Sequence, residues 1–203
     1  MFQDLPAAAI TQFHEQAHGR AGWPASGGLH ADKPVEDPWH WVETNHRYNS
    51  LLWAEEDLAR RKDVPDSAIA VNKRAIDGFN QKRNDAVEKI DEAILSRLAA
   101  VTPSAGARLN SETAGSMIDR LSIMSLKIKA MREQTLRTDV DAAHIASCQA
   151  KLAKLIEQRG DLASCLDTLL REAQAGSAYY KIYRQFKMYN DPRLNPQLYK
   201  TGA

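Results

Sequence analysis

The fold is decided by residues 71–98, VNKRAIDGFNQKRNDAVEKIDEAILSRL. In the second half of this stretch, apolar residues recur at steps of three and four, the spacing of one helix face: Val87, Ile90, Ile94 and Leu98. Continued toward the N-terminus, the same stripe carries polar residues: Arg83, Asn80, Asp77 and Lys73. Buried polar groups need hydrogen-bond partners, because leaving them unpaired costs free energy. We therefore expect a helix whose first half lines a polar pocket.

The composition is that of one globular protein domain. Of the 203 residues, 43% are hydrophobic and 26% are charged, and the formal net charge is +1. Because positive charge is not in excess, we expect no nucleic acid partner. The N-terminus lacks a basic segment followed by a long apolar run, and no stretch approaches the roughly 18 apolar residues of a membrane span. These features predict a cytoplasmic protein without membrane insertion.

Helix-start and helix-stop signals predict an all-α fold, a single-domain antiparallel bundle of about five to six helices. A capping side chain followed by proline, Asp37-Pro38, opens the second helix. Ser111 and Thr138 are expected to cap the fourth and fifth helices, and Gly176 separates the fifth from a sixth. The predicted helices cover about residues 5–18, 38–61, 64–100, 112–136, 138–175 and 178–189, of which 64–100 and 138–175 are the two long ones.

The predicted domain has three parts. They are an N-terminal helix and a Gly/Pro/Trp loop at residues 1–36, the helical bundle at 37–190 and an extended tail at 191–203. The loop from Gly19 to Val35 is long, and long loops inside compact domains are usually functional or disordered. Trp23 within the loop, with Trp39 and Trp41 just beyond it, favours docking of the loop against the bundle.

The fifth predicted helix has the most regular pattern in the chain. From Ile145 to Ala173, apolar residues alternate steps of three and four, a 3.5-residue repeat that keeps one seam against a neighbour. So long a seam would also allow two copies to pair as a homodimer. Cys148 and Cys165, the only cysteines, lie in this helix and are predicted to be reduced core residues.

Two polar stripes are predicted to face each other across the hairpin of the second and third helices. The break near Asp63 is short, so the two helices should be antiparallel, with residues equally distant from the turn in contact. This register pairs Trp53 with Lys73, Asn49 with Asp77, and His46 with Asn80. Asp57 shares the face of the second helix. The stripes predict a polar pocket with an indole at one end.

Arg159 is the one charged residue in the apolar seam of the fifth helix. With a turn near Arg137, it should lie opposite Gly115, between two carboxylates one helical turn away, Glu112 and Asp119. This group predicts either a buried Arg–carboxylate pair that holds the hairpin in register or an arginine that reaches toward an anionic ligand.

Aromatic and basic residues are interleaved in the last predicted helix, at residues 179–191, YYKIYRQFKMYND. On a helix, Tyr180, Arg184 and Lys187 would share one face. Such a face suits phosphates or sugars, because rings stack on apolar surfaces and cations bind oxygens. The alternative is that the rings pack in the core while the cations stay in water.

Residues 14–18, HEQAH, match a zinc-binding motif in which two histidines one turn apart bind the metal and the glutamate acts as a base. A third ligand would come from an acid or from one of three histidines: His30, His40 or His46. No strand precedes the motif, and the following GRAGW lacks its usual extension. We therefore expect His14, Glu15 and His18 to lie on an exposed helix, with a zinc-dependent hydrolase as the remote alternative. No cofactor is predicted.

Four segments carry a resemblance to a known family. They are HRYNSLLWAEEDLARR (46–61), VNKRAIDGFNQKRNDAVEKID (71–91), LNSETAGSMIDRLSIMSLKI (109–128) and YRQFKMYNDPRLNPQLY (183–199). In this order they resemble a bacterial family known as domain of unknown function 4254, over most of the chain from about His46 onward. The resemblance implies a setting beside glycosyltransferases of surface-polysaccharide and lipopolysaccharide clusters. It implies no activity.

The leading hypothesis is a protein that binds an anionic sugar, a sugar phosphate or a nucleotide sugar, for surface-glycan or lipopolysaccharide biosynthesis. Lys73, Arg83 and Arg184 would neutralise phosphate. Trp53 would stack on the sugar, and Asp77 or Asp57 is the candidate general base. The remaining predicted pocket residues are His46, Asn49, Asn80, Ser111, Glu112, Asp119, Arg120, Lys187, Tyr189 and Asn190. The alternative hypothesis is a helical adaptor that docks on a glycosyltransferase and catalyses nothing.

Overall fold

The computed structural model describes residues 2–25, 28, 30, 32–184, 186, 188 and 191–199. The helices are α1 (Ala7–His18), α2 (Pro38–Leu58), α3 (Asp66–Arg97), α4 (Ala114–Thr135), α5 (Ala142–Gln174) and α6 (Pro196–Tyr199). Among the described residues there are also two short strands, β1 (Arg108–Leu109) and β2 (Ala178–Tyr179). The all-α prediction is confirmed, and both long helices end within about four residues of their predicted limits, the usual uncertainty of such boundaries.

Side-chain hydrogen bonds explain where the helices begin. The carboxylate of Asp37 accepts from Trp39 N at 3.0 Å, as predicted for the start of α2. α4 begins at a capping box between Thr113 and Ser116, two residues after the predicted Ser111 cap. α5 is capped by Asp141, which accepts from the backbone N–H of the third residue of the helix at 2.7 Å, so it begins later than predicted.

The helices pack as two hairpins with α1 laid across the second. In the α2–α3 hairpin, Asn72 Nδ2 donates to Glu55 Oε2 at 2.7 Å, and the Tyr48 and Phe79 rings lie 6.0 Å apart, so the pairing is antiparallel. α4 packs on α5, and α1 contacts both of them. Fully buried aliphatic side chains from three helices form the centre of the core: Ile90, Ile94, Ile118, Leu121, Leu166 and Leu169.

The predicted sixth helix at residues 178–189 is wrong over residues 178–184, and its positions 185, 187 and 189 lie outside the described residues. After α5, Gly176 adopts a φ of 72° and turns the chain, and β2 then pairs in parallel with β1. Backbone bonds from Arg108 N to Ser177 O and from Asn110 N to Tyr179 O, at 2.9 and 2.8 Å, satisfy this segment without a helix. The extended tail is also a wrong prediction over residues 196–199, which form α6.

Two further expectations concern the whole chain. In the part of the chain that the structure describes, no helix is both long and apolar enough to cross a membrane. Cys148 and Cys165 are free thiols. Cys148 is buried as predicted, whereas Cys165 is exposed, because the seam of α5 turns it away from the core.

Candidate functional site

The hairpin groove is a cavity of about 380 Å³ between α2, α3 and α4. The helices bring ten side chains to it: Asn49, Leu52, Trp53, Glu56, Asp57, Arg60, Asn80, Arg83, Ile123 and Leu126. Five of these belong to the predicted pocket, namely Asn49, Trp53, Asp57, Asn80 and Arg83. Its volume lies within the range of small-molecule sites, and it combines an indole with amide and charged groups.

Asn49 forms the inner wall of the groove and is held by a buried network between α2 and α4. Its Nδ2 lies 2.8 Å from Asp119 Oδ1 and 3.0 Å from Ser122 Oγ. Asn45, one turn earlier on α2, donates to the same Asp119 oxygen at 2.8 Å. Because these groups satisfy one another away from water, they hold the amide of Asn49 in a defined position.

Arg83 supplies a positive charge to the groove. Its Nε is 4.0 Å from Asp119 Oδ1, and its Nη2 donates to Asn84 Oδ1 at 3.1 Å. The side chain is 25% exposed, yet Nε is shielded and has no hydrogen-bond partner among the described residues. Because Nε is closed to solvent, an anionic group in the cavity would be bound by the outer nitrogens of the guanidinium.

Lys73 and Asp77 do not lie in the groove, and their predicted placement is wrong. They pair with each other on the outer face of α3 at 3.9 Å, with side chains 64% and 69% exposed. The inward positions are Asn72 and Ile76. Relative to Asn80, a step of four residues departs from its face by about 40°, whereas a step of three departs by about 60°. The stripe therefore continues through Ile76 and misses Asp77.

The prediction that His46 lines the groove is wrong, because it is fully buried in a cluster of rings with His14 and the half-buried His18 and Trp23. The centroid of the His46 ring is 4.4 Å from that of His14 and 4.9 Å from that of His18, and the indole of Trp23 stacks on it at 5.4 Å. His46 Nδ1 lies 2.8 Å from Ser122 Oγ, so the cluster is joined to the network of Asn49. The docking predicted for Trp23 is confirmed.

The predicted exposed face for His14 is wrong. On α1, His14 shares the buried face with Ile10, Phe13 and Ala17, and it is fully buried. Neither ring nitrogen of His14 has a hydrogen-bond partner in the described chain, and His46 Nε2 also lacks one. The apolar neighbours of His14 on α1 carry it into the core when that helix packs.

Burial keeps the three imidazoles of this cluster neutral near pH 7. It lowers the pKa of His14 to about 3, with His18 and Arg159 adding to the effect. Burial and the Lys129 ammonium lower the pKa of His18 to about 4. The pKa of His46 also falls well below its usual value, chiefly through burial.

Arg159 does not pair with Glu112 or Asp119, so that prediction is wrong. It donates to Glu15 Oε1 at 2.7 Å, because α1 packs over this part of α5. Gly115 instead faces α3, where its N–H donates to Asp91 Oδ1 at 2.7 Å.

Glu15 is engaged in these ion pairs, since Arg132 also lies 3.5 Å from it. Among the residues that the structure describes, no group of three or more His, Cys, Asp or Glu is arranged to hold a metal ion.

The other predicted pocket residues lie elsewhere. Arg120 pairs with Glu112 at 2.7 Å, and both line a separate cavity of about 620 Å³ between α4 and α5. Arg184 pairs with Glu88 and Glu92 at 2.6 and 2.7 Å on the surface, because no helix carries it toward the groove. Predictions for Lys187, Tyr189 and Asn190 lie outside the described residues.

Three contributors to the site were missed by the sequence reasoning. Asn45 lies four residues before Asn49, and Ser122 lies three residues after Asp119. Helix periodicity would have placed each on the same face as its predicted neighbour. Arg60 lines the groove and pairs with Glu56 at 3.0 Å, an exposed pair with no signal in the sequence beyond its spacing.

A family model described as Protein of unknown function (DUF4254) matches residues 39–182. No curated protein and no solved structure matches the chain. The matched range includes every residue that lines the hairpin groove, whereas His14 and His18 on α1 precede it.

Proposed function

Since the chain belongs to the DUF4254 family, and the matched region holds the whole hairpin groove, we propose that this groove binds an anionic sugar, a sugar phosphate or a nucleotide sugar. The protein would do so in the cytoplasm, in surface-glycan or lipopolysaccharide biosynthesis. The observation that carries the proposal is the meeting of an indole, two amides and the partly exposed guanidinium of Arg83 around one cavity.

The uncharged side of the groove suits a sugar ring. Trp53 is half-buried and offers a flat apolar face, on which the C–H face of a sugar can stack. Asn49 and Asn80 present amide groups that exchange hydrogen bonds with hydroxyls. Because Asn49 is already held by Asp119 and Ser122, little side-chain freedom is lost when it contacts a ligand.

The charges of the groove favour a ligand with one anionic group. Glu56 pairs with Arg60, and Arg83 lies 4.0 Å from Asp119, so Asp57 is the carboxylate of the groove that has no ion pair within the described residues. Arg83 would bind the phosphate, and Asp57 would accept hydrogen bonds from hydroxyls. One arginine for one phosphate supports a sugar monophosphate more than a nucleotide sugar. The second phosphate of a nucleotide sugar would add negative charge near Asp57 without a further cation to offset it.

A reaction at this site would use Asp57 as its general base. Of the two carboxylates predicted for that role, Asp57 lines the groove, while Asp77 pairs with Lys73 outside it. Replacing Asp57 by Asn would then abolish turnover of the true substrate and leave its binding largely intact, whereas Asp77→Asn would change neither.

Calorimetric titration of the full chain tests the binding proposal. The ligands are a hexose phosphate, a nucleotide sugar and the uncharged hexose, and the variants are Arg83→Gln and its control Arg74→Gln, an exposed residue of α3 outside the groove. We expect the hexose phosphate to bind more tightly than the hexose. Arg83→Gln should weaken it by about tenfold to a hundredfold, the usual value of a charged hydrogen bond. Equal affinities for both variants would refute the assignment.

The adaptor hypothesis is the second candidate function, and exposed apolar side chains after β2 favour it. Tyr183, Phe186 and Met188 are 55%, 86% and 57% exposed. An adaptor would bury such groups against a glycosyltransferase. The test is the affinity of the chain for a purified glycosyltransferase of the same surface-glycan pathway. Phe186→Ser should reduce that affinity, whereas Leu136→Ser, 78% exposed between α4 and α5, should not.

A further inference from the structure

Trp53 also lines a second cavity, the lysine groove, of about 490 Å³. Its other walls come from α4 and α5. The lining consists of four apolar residues (Trp53, Ala130, Met131 and Leu155), two glutamines (Gln134 and Gln158) and three lysines (Lys127, Lys151 and Lys154).

The lysine groove combines an apolar floor with positive charge. Among the described residues that line it, none carries a carboxylate. Lys154 pairs with Glu157 at 2.6 Å, but Lys127 and Lys151 form no ion pair within the described chain. Two unpaired ammonium groups beside an apolar cavity are complementary to a molecule that has both an anionic head and an apolar body.

We propose that the lysine groove binds one molecule of an anionic amphiphile, an apolar chain that ends in a phosphate group. The chain would lie on Met131, Leu155 and the indole of Trp53, and the phosphate would lie between Lys127 and Lys151. From Lys127 to Gln134, α4 rises about 10 Å at 1.5 Å per residue, so the groove accommodates a chain of medium length. This inference goes beyond the sugar site, with which the lysine groove shares only Trp53.

Calorimetry of the full chain with alkyl phosphates below their micelle concentration tests the proposal. We expect octyl phosphate to bind with one molecule per chain and at least tenfold more tightly than octanol, because octanol lacks the charge. Each methylene added between hexyl and octyl phosphate should tighten binding about threefold to fourfold, as burial of that group implies. Octyltrimethylammonium should bind more weakly than octanol.

Three variants locate the binding. The double substitution Lys127→Gln and Lys151→Gln should remove the preference for octyl phosphate over octanol. Met131→Glu should weaken both ligands at least tenfold. Lys129→Gln is the matched control, because Lys129 lies on the same helix but pairs with Glu133 and does not line the groove. Thermal unfolding of each variant establishes that it is folded.

Several results would overturn the proposal. They are equal binding of octyl phosphate and octanol, wild-type affinity in the double lysine variant, and binding only above the micelle concentration or only to vesicles of anionic phospholipid. Arg83→Gln separates the two sites. This variant should leave octyl phosphate binding unchanged, whether or not a hexose phosphate binds to the hairpin groove. A loss of octyl phosphate binding in Arg83→Gln would refute the claim that the lysine groove is a separate binding site.

Discussion

Asn49 Nδ2 lies 2.8 Å from Asp119 Oδ1, and this bond joins α2 to α4 at the inner wall of the hairpin groove. Asp119 also receives the amide of Asn45 and has Arg83 4.0 Å away, so one carboxylate connects three helices. The geometry of the groove therefore depends on a buried polar network more than on any single groove residue.

The first prediction concerns this network. Asn49→Ala should lower the free energy of unfolding by about 1–3 kcal/mol, because Asp119 and Ser122 each lose a buried donor. The measurement is urea denaturation at neutral pH. Asn80→Ala is the control, since Asn80 lines the same groove but its side chain makes no hydrogen bond within the described chain. Equal losses in the two variants would contradict the role given to the network.

The second prediction uses two helical glycines. A Cβ on Gly115 would lie 2.5 Å from Val87 O and 2.9 Å from the Asp91 carboxyl group, so α4 and α3 would have to separate. Gly115→Ala should therefore destabilise the protein by about 1–3 kcal/mol or more. At Gly160 on α5 a Cβ meets nothing within 4 Å, and Gly160→Ala should stabilise it by up to about 1 kcal/mol. The measurement is the midpoint of thermal unfolding of both variants. A Gly115→Ala variant as stable as the wild type would contradict the close contact of α4 with α3.

The third prediction concerns acid. The unfolded chain protonates His14 near pH 6.5, but the folded chain does so only at about 3, so between these values the unfolded state binds more protons. Stability should fall as the pH drops below 6.5, by roughly 3 kcal/mol at pH 4 from His14 alone. Urea titrations from pH 7 to 4 measure the slope.

His14→Leu should reduce this slope and leave the part that comes from His18 and His46. It should keep or raise the stability at pH 7, because neither ring nitrogen is hydrogen-bonded within the described chain. Gln16→Ala, at an exposed position of the same helix, is the control and should retain the wild-type slope. An unchanged slope in His14→Leu would contradict the burial of a neutral ring.

The fourth prediction has the opposite sign. Burial raises the pKa of Asp91 from 3.8 to about 6, although the Gly115 N–H favours its charged form. Between these pH values the folded state binds more protons than the unfolded state. Titration of Asp91 therefore lowers the free energy of unfolding as the pH rises. Asp91→Asn removes the titration and keeps an oxygen for Gly115. The unfolding free energy of Asp91→Asn relative to that of the wild type should increase from pH 4 to pH 6, by up to about 3 kcal/mol. A constant difference between the two proteins would argue against it.

Local signals were sufficient for the elements and for the register of the first hairpin. Capping and periodicity located five helices. Counting from the turn paired Trp53 with Lys73, and the observed contact of Glu55 with Asn72 shows that this predicted register differs from the observed one by a single residue. The stripes along α2 and α3, from helix spacing alone, placed Asn49 and Arg83 toward one cavity, although the counted partner of Asn49, Asp77, lies outside it. The prediction of a sixth helix was wrong because β2 pairs with the loop at 104–110. This contact, distant in sequence, replaces the local helical hydrogen bonds.

The sequence by itself determined the helices and the existence of an inward polar stripe, because both follow from side-chain spacing along one element. Only the tertiary structure decided which polar residues meet. A helix face shifts with each step of three or four residues, which turned Asp77 outward, and the packing of α1 gave Arg159 the partner Glu15 and buried His14 beside His46. Such contacts join residues far apart in the chain, so no local pattern specifies them.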